Sequence, residues 1–113
     1  MEQPDPANPE SLKAFYRQVI EYYGQESQSD AIIEEAAELI HAICKYRHAV
    51  RKGEDTAGVR EQVVEEIVDL QIALDQARLI FSGDSPAAEK YYEECRQKKL
   101  ARLAEYVDIP RNR

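Results

Sequence analysis

The chain has 113 residues, enough for one domain with one modest core, and a formal net charge of −7 from 15 Lys and Arg against 22 Asp and Glu. That balance argues against duplex nucleic acid as a partner, because such binding rests on neutralising phosphates with basic side chains. Apolar residues make up 43% of the chain, yet none of their runs approaches the roughly 18 residues of a membrane span.

The amino terminus, MEQPDPANPES, has neither the basic start nor the apolar stretch of a secretion signal. Cys44 and Cys95 fit no metal-binding or redox spacing and read as small core residues of a reduced, cytoplasmic protein. Residues 1–8 are expected to form a flexible tip, 9–107 a single helical domain and 108–113 a tail.

Asn8-Pro9 predicts an N-cap followed by a first-turn proline, opening a helix that runs to about Tyr23. Leu12, Phe15, Val19 and Tyr22 recur there at helical spacing. Gly24 to Ser29 reads as a polar break, with Ser27 capping a second helix that Gly53 stops after Lys52. Asp55 or Thr56 caps a third helix ending near Phe81, and Ser85-Pro86 repeats the cap-plus-proline signal for a fourth reaching about Val107. The 76 residues from Glu10 to Ser85 hold no proline, and no segment alternates long enough to form a strand. The expectation is an all-α, four-helix bundle.

The second and third helices carry the same message. Residues 32–39 read IIEEAAEL and residues 63–70 read VVEEIVDL, matched by type at every position. Glu35 with Glu38, and Glu66 with Asp69, are each three apart and so share a helix face. At 100° per residue the second helix is expected to bury Ile32, Ala36, Leu39, Ile43 and Val50, with Glu35 bordering that stripe. The third copies it with Val63, Ile67, Leu70, Leu74 and Phe81, bordered by Glu66. A second apolar side of the third helix, Val64, Val68, Ile72 and Leu79, predicts contact with another subunit and at least a dimer, written here as a homodimer or homotetramer.

The short turn makes the two helices antiparallel neighbours, so the acid pairs can face each other. With the turn centred on residue 54, they miss direct opposition by about five residues, or roughly 7 Å. Four converging carboxylates repel unless a cation separates them, so the repeat points to a metal site. His41, three after Glu38, echoes the Glu-x-x-His of di-iron bundles, but the matching position after Asp69 is Ile72.

ExxE on one helix, 27 intervening residues and ExxD on the next resemble the MazG-like, all-α nucleoside triphosphate pyrophosphohydrolases. That superfamily includes dimeric dUTPases, dCTP pyrophosphatases and phosphoribosyl-ATP pyrophosphohydrolases. The likeness spans about residues 12–103. It implies that Glu35, Glu38, Glu66 and Asp69 hold Mg²⁺, for which Mn²⁺ can substitute. It also implies a water attacking the α–β phosphate linkage of a (d)NTP to yield a nucleoside monophosphate and pyrophosphate, in the service of nucleotide-pool house-cleaning. Glu38, expected to be the less buried of its pair, is assigned the catalytic proton transfer.

Basic residues on the last helix of such proteins reach the phosphates, and the candidates here are Lys98, Lys99 and Arg102. Many relatives carry an asparagine in that helix, where this chain has Arg96 or Gln97. Phe15, Tyr16, Tyr22 and Tyr23 are stacking candidates that core packing explains equally well. Two rival readings remain: a helical regulatory protein of the same fold without turnover, and a phosphoribosyl-ATP pyrophosphohydrolase.

Overall fold

The computed structural model describes residues 1–111, with side-chain surroundings through Val107. Four helices account for it: α1 (Pro9–Tyr23), α2 (Gln25–Lys52), α3 (Ala57–Phe81) and α4 (Pro86–Arg111). No strand occurs among the described residues, so the fold is all-α, as composition and capping signals predict. None of the described helices is long and apolar enough to cross a membrane.

The caps work through identifiable atoms. Asn8 Oδ1 accepts from the Glu10 and Ser11 amides at 3.0 and 3.3 Å, occupying donors that a helix start leaves open. Before α1, the Asp5–Asn8 turn is closed by the Asn8 amide donating to the Asp5 carbonyl, while Asp5 itself donates to Ser11 Oγ. At the start of α3 the two predicted cap residues divide the task. Thr56 supplies the carbonyl to Arg60, and Asp55 Oδ1 accepts from the Ala57 amide. Ser85 Oγ accepts from the Ala88 amide at 3.1 Å to open α4.

The expected break from Gly24 to Ser29 is not there, and Ser27 caps nothing. Gly24 alone separates α1 from α2, ending one helix through its amide and opening the next through its carbonyl. Its φ of 91° lies where side chains are disfavoured, so one residue turns the chain. The polar run after it is helical, and Ser29 Oγ donates back to the Gln25 carbonyl at 2.8 Å. Gly53, at φ 68°, ends α2 with the left-handed geometry expected of it. The Glu54 amide then reaches back to the Ala49 carbonyl.

The chain falls into two compact units, Met1–Ile80 and Phe81 onward. In the first, α2 and α3 pack most closely and run antiparallel. The buried residues are few and mostly small: Tyr16, Ala42, Ala49 and Ala73. Tyr16 fastens α1 to α3, its hydroxyl donating to Asp75 Oδ2 at 3.4 Å. The second unit contains α4, whose side chains through Val107 are exposed or half-exposed and which continues past its expected end at Val107.

The inward faces of α2 and α3 match those predicted only in part: Ile32, Ala36, Leu39, Val63 and Leu70 are half-buried. Ile43 and Val50 are exposed, and so are Ile67, Leu74 and Phe81. The buried positions are Ala42 and Ala49 on α2 and Ala73 on α3, with Glu35 and Glu66 half-buried seven residues before Ala42 and Ala73. Alanines at the contact let two helices approach closely, whereas a line of large aliphatics would hold them apart. Glu35 and Glu66 thus lie on the inward faces, while Glu38 and Asp69 stay exposed.

Candidate metal centre

Two consecutive turns of α2 and two of α3 position the acids. Glu35 and Glu66 are half-buried, while Glu38 and Asp69 are exposed. Carboxylate oxygens of Glu35, Glu38 and Glu66 all lie within 4.8 Å of one another. Asp69 stands outside that trio but lines the same cavity as Glu35. The carboxyl groups of Glu38 and Glu66 are within hydrogen-bonding reach of each other. The register thus absorbs the offset anticipated from a turn at residue 54: Glu38 meets Glu66 and Glu35 meets Asp69.

The electrostatics of the cluster are those of crowded, part-buried carboxylates. Burial, followed by the charges of Glu38, Asp69 and Glu34, raises the Glu35 carboxyl above its ordinary value. Burial also raises Glu66, followed by the charges of Glu38, Asp69 and Glu35. Each of these two half-exposed groups has one oxygen, Oε2, closed off from solvent and lacking a hydrogen-bond partner. Buried acceptors are ordinarily satisfied, so two unsatisfied ones in a single acid cluster call for an explanation.

A hard divalent cation provides one. Mg²⁺ takes oxygen ligands at about 2.0–2.1 Å, which sets a widest oxygen–oxygen span of roughly 4.2 Å around it. The present 4.8 Å envelope needs only a small inward rotation of side chains to meet that span. The donor set is all carboxylate, the chemistry that suits Mg²⁺ or Mn²⁺. The residues therefore fit such an ion.

Below the acids, between α2 and α3, a cavity of about 250 Å³ is lined by Gln28, Ala31, Ile32, Glu35, Asp69, Ile72, Ala73 and Gln76. The two glutamines were not anticipated. Gln28 precedes Glu35 by seven residues and Gln76 follows Asp69 by seven, so the heptad spacing holds the signal that would have found them.

The other candidates fall as follows. Lys98, Lys99 and Arg102 are exposed on α4, in the second unit. Tyr22 and Tyr23 are exposed and meet edge to face at 4.8 Å, while Tyr16 is a core residue. His41 and His48 face solvent. Cys44 is exposed and Cys95 half-exposed, so neither is the buried core residue expected, and both are free thiols.

Comparison with family models, with curated proteins and with solved structures found no match for this chain. Its functional reading therefore rests on the residues themselves.

Proposed function

We propose that the protein is a Mg²⁺-dependent nucleoside triphosphate pyrophosphohydrolase, cleaving a (d)NTP to the monophosphate and pyrophosphate. The observation that supports this reading is the convergence of Glu35, Glu38 and Glu66 with two closed, unpartnered carboxylate oxygens. Such a cluster is costly to maintain without a cation, and a divalent ion can bridge an acidic site to a triphosphate.

Glu35 and Glu66, set on the inward faces, act as fixed ligands. Asp69 completes the set from the cavity side, and Glu38, the exposed member of the trio, also accepts the proton of the attacking water. The bound ion supplies neutralisation of phosphate charge and a more acidic water. Lys98, Lys99 and Arg102 are proposed as phosphate contacts on the strength of the resemblance.

Homo-oligomerisation, as a dimer or tetramer, belongs to the same proposal. Val64, Val68 and Ile72 on α3 are all exposed, as are Ile33 and Ile40 on α2. These faces exceed what an isolated chain of this size normally leaves to water. Light scattering should give a multiple of the chain mass, and a monomeric mass contradicts that part of the reading.

The direct test is pyrophosphate release with a panel of ribo- and deoxyribonucleoside triphosphates and phosphoribosyl-ATP in the presence of Mg²⁺. Release from at least one (d)NTP is expected. Release from phosphoribosyl-ATP alone moves the assignment to that hydrolase. No release from any of them, with no EDTA-sensitive melting shift, leaves the non-catalytic scaffold standing.

A further inference from the structure

We propose that α1 is a hinged lid: it turns about Gly24, is latched by the Tyr16 hydroxyl on Asp75, and when docked sets the Gln28 wall of the cavity between α2 and α3. The device works whatever chemistry the acids serve.

One residue forms the joint. Gly24 ends α1 and opens α2, so its φ and ψ are the only soft torsions between the two helices. At φ 91° and ψ 153° it occupies a region that is essentially reserved for glycine. No atom stands within 4 Å of where a side chain would begin. Glycine crosses between φ regions closed to other residues, and hinges are built from such single positions. The joint is also tied to the cavity. The Gly24 amide donates to the Ile20 carbonyl at 2.7 Å, and the Gln28 amide donates to the Gly24 carbonyl at 3.1 Å. Gln28 lines the cavity, so a turn at Gly24 is felt in its wall.

The docked position is lightly held. α1 is the shortest of the four helices, with 15 residues, and Tyr16 is its one buried residue. Leu12, Phe15, Val19 and Ile20 are half-buried, and Tyr22 and Tyr23 are exposed. Segments with few fully buried apolar contacts open locally before the rest of a fold. The latch itself is long for an O–H···O bond, 3.4 Å from Tyr16 Oη to Asp75 Oδ2, and Asp75 is exposed. Asp75 directly precedes Gln76, the lining residue whose Oε1 is closed off and unpartnered. Latch and joint thus flank the same end of the cavity, one on α3 and the other on α2. Undocking α1 frees the Gln28 wall, and docking restores it. A ligand that needs the ordered wall favours the docked helix, to the extent that it binds the two states differently.

Amide hydrogen exchange, resolved by nuclear magnetic resonance on the full, ¹⁵N-labelled chain, reads the device directly. In wild type the α1 amides should exchange faster than those of Ala42, Ala49 and Ala73 at the α2–α3 contact. Tyr16→Phe removes the latch and keeps the ring. It should speed α1 exchange about tenfold, the loss of roughly one hydrogen bond. It should also shift the Gln28 side-chain amide signals and leave exchange at the three alanines unchanged. Asp75→Ala breaks the same bond from an exposed position, should Tyr16→Phe disturb folding. Gly24→Ala, whose side chain disfavours the joint's φ, should undock α1 just as selectively.

Three outcomes overturn the lid. Protection of α1 equal to that of the three alanines makes the first unit one cooperative body with no working joint. Exchange that rises in all three helices together in both latch variants reduces Tyr16 to a support of global stability. A faster α1 with the Gln28 signals unmoved disconnects the helix from the cavity. None of these readouts involves pyrophosphate release, so the lid and the catalytic reading fail separately.

Discussion

The two ends of the α2–α3 pair are built from the same kind of helix and end up in opposite states. Near the turn, the polar contacts are made within the chain itself. Arg60 Nη2 donates to Tyr46 Oη at 3.0 Å while its guanidinium carbon lies 5.4 Å from the centre of the same ring. Ala49 is buried beside them, and its carbonyl receives the Glu54 amide. Two to four helical turns away, Glu35, Glu66 and Gln76 each keep a closed-off oxygen without a partner. One end is satisfied by the chain itself and the other holds acceptors that the chain leaves unsatisfied. Local conflicts of this kind concentrate at functional sites, because a ligand is the missing partner.

The largest effect that bears on this contrast is on catalysis. Glu38→Gln keeps the shape and removes the charge and the proton acceptor. It should lower kcat for pyrophosphate release by at least about a hundredfold, the scale of a lost general base, with the helical circular dichroism unchanged. Retained turnover removes Glu38 from the role. Loss of helical signal makes it a structural acid instead.

Next in size is the response to metal. If the unsatisfied end is a cation site, Mg²⁺ at a hundred times its Kd should stabilise the fold by about 2.7 kcal/mol, seen as an EDTA-reversible rise in Tm. Glu35→Gln combined with Glu66→Gln should abolish that rise. Mn²⁺ should reproduce it. An equal rise in the double variant places the ion elsewhere.

A smaller effect tests the satisfied end. Tyr46→Leu removes both the hydrogen bond and the ring beneath Arg60, and should cost about 1 kcal/mol in thermal or denaturant unfolding. The Mg²⁺-induced shift should survive it. A variant that loses the metal response as well shows that the two ends are coupled through the helix pair.

How much of this was legible beforehand depended on which physics set it. The caps were readable because Asn8, Asp55, Thr56 and Ser85 act on amides two to four residues away, within reach of sequence inspection. The start of α2 was not, because Ser27, Gln28 and Ser29 read as a break when Gly24 alone suffices to turn the chain. The acids were legible from their repeat. The inward place of Glu35 and Glu66 was hidden, since periodicity weighs large aliphatics above alanine and so favoured the Ile43 and Leu74 stripes. Burial was decided by how closely the helices approach, which Ala42, Ala49 and Ala73 permit. Gln28 was passed over because it lay in the stretch read as a break, and Gln76 because a polar residue adds nothing to an apolar stripe.

The smallest predicted effect is the most specific, because it reads the acid repulsion without any ligand. Glu35 and Glu66 have raised carboxyl values in the folded chain, from burial first and neighbouring charge second. A group that holds its proton more tightly folded than unfolded stabilises the fold where it is protonated. That contribution is present in full below the unfolded carboxyl range and is lost as pH rises through the raised folded value. Above it, both groups are charged against their neighbours and the metal-free fold is at its weakest. Glu66→Gln should therefore raise the Tm of the metal-free protein by a few degrees at neutral pH. The gain should shrink toward zero as pH falls through the carboxyl range, where wild type becomes neutral as well. Saturating Mg²⁺ should reverse the ranking at neutral pH, because the wild-type charges then have their partner and the variant has lost a ligand. A Glu66→Gln protein that is less stable than wild type both with and without metal means that Glu66 is stabilising in the chain alone, and the comparison between the two ends of the helix pair breaks there.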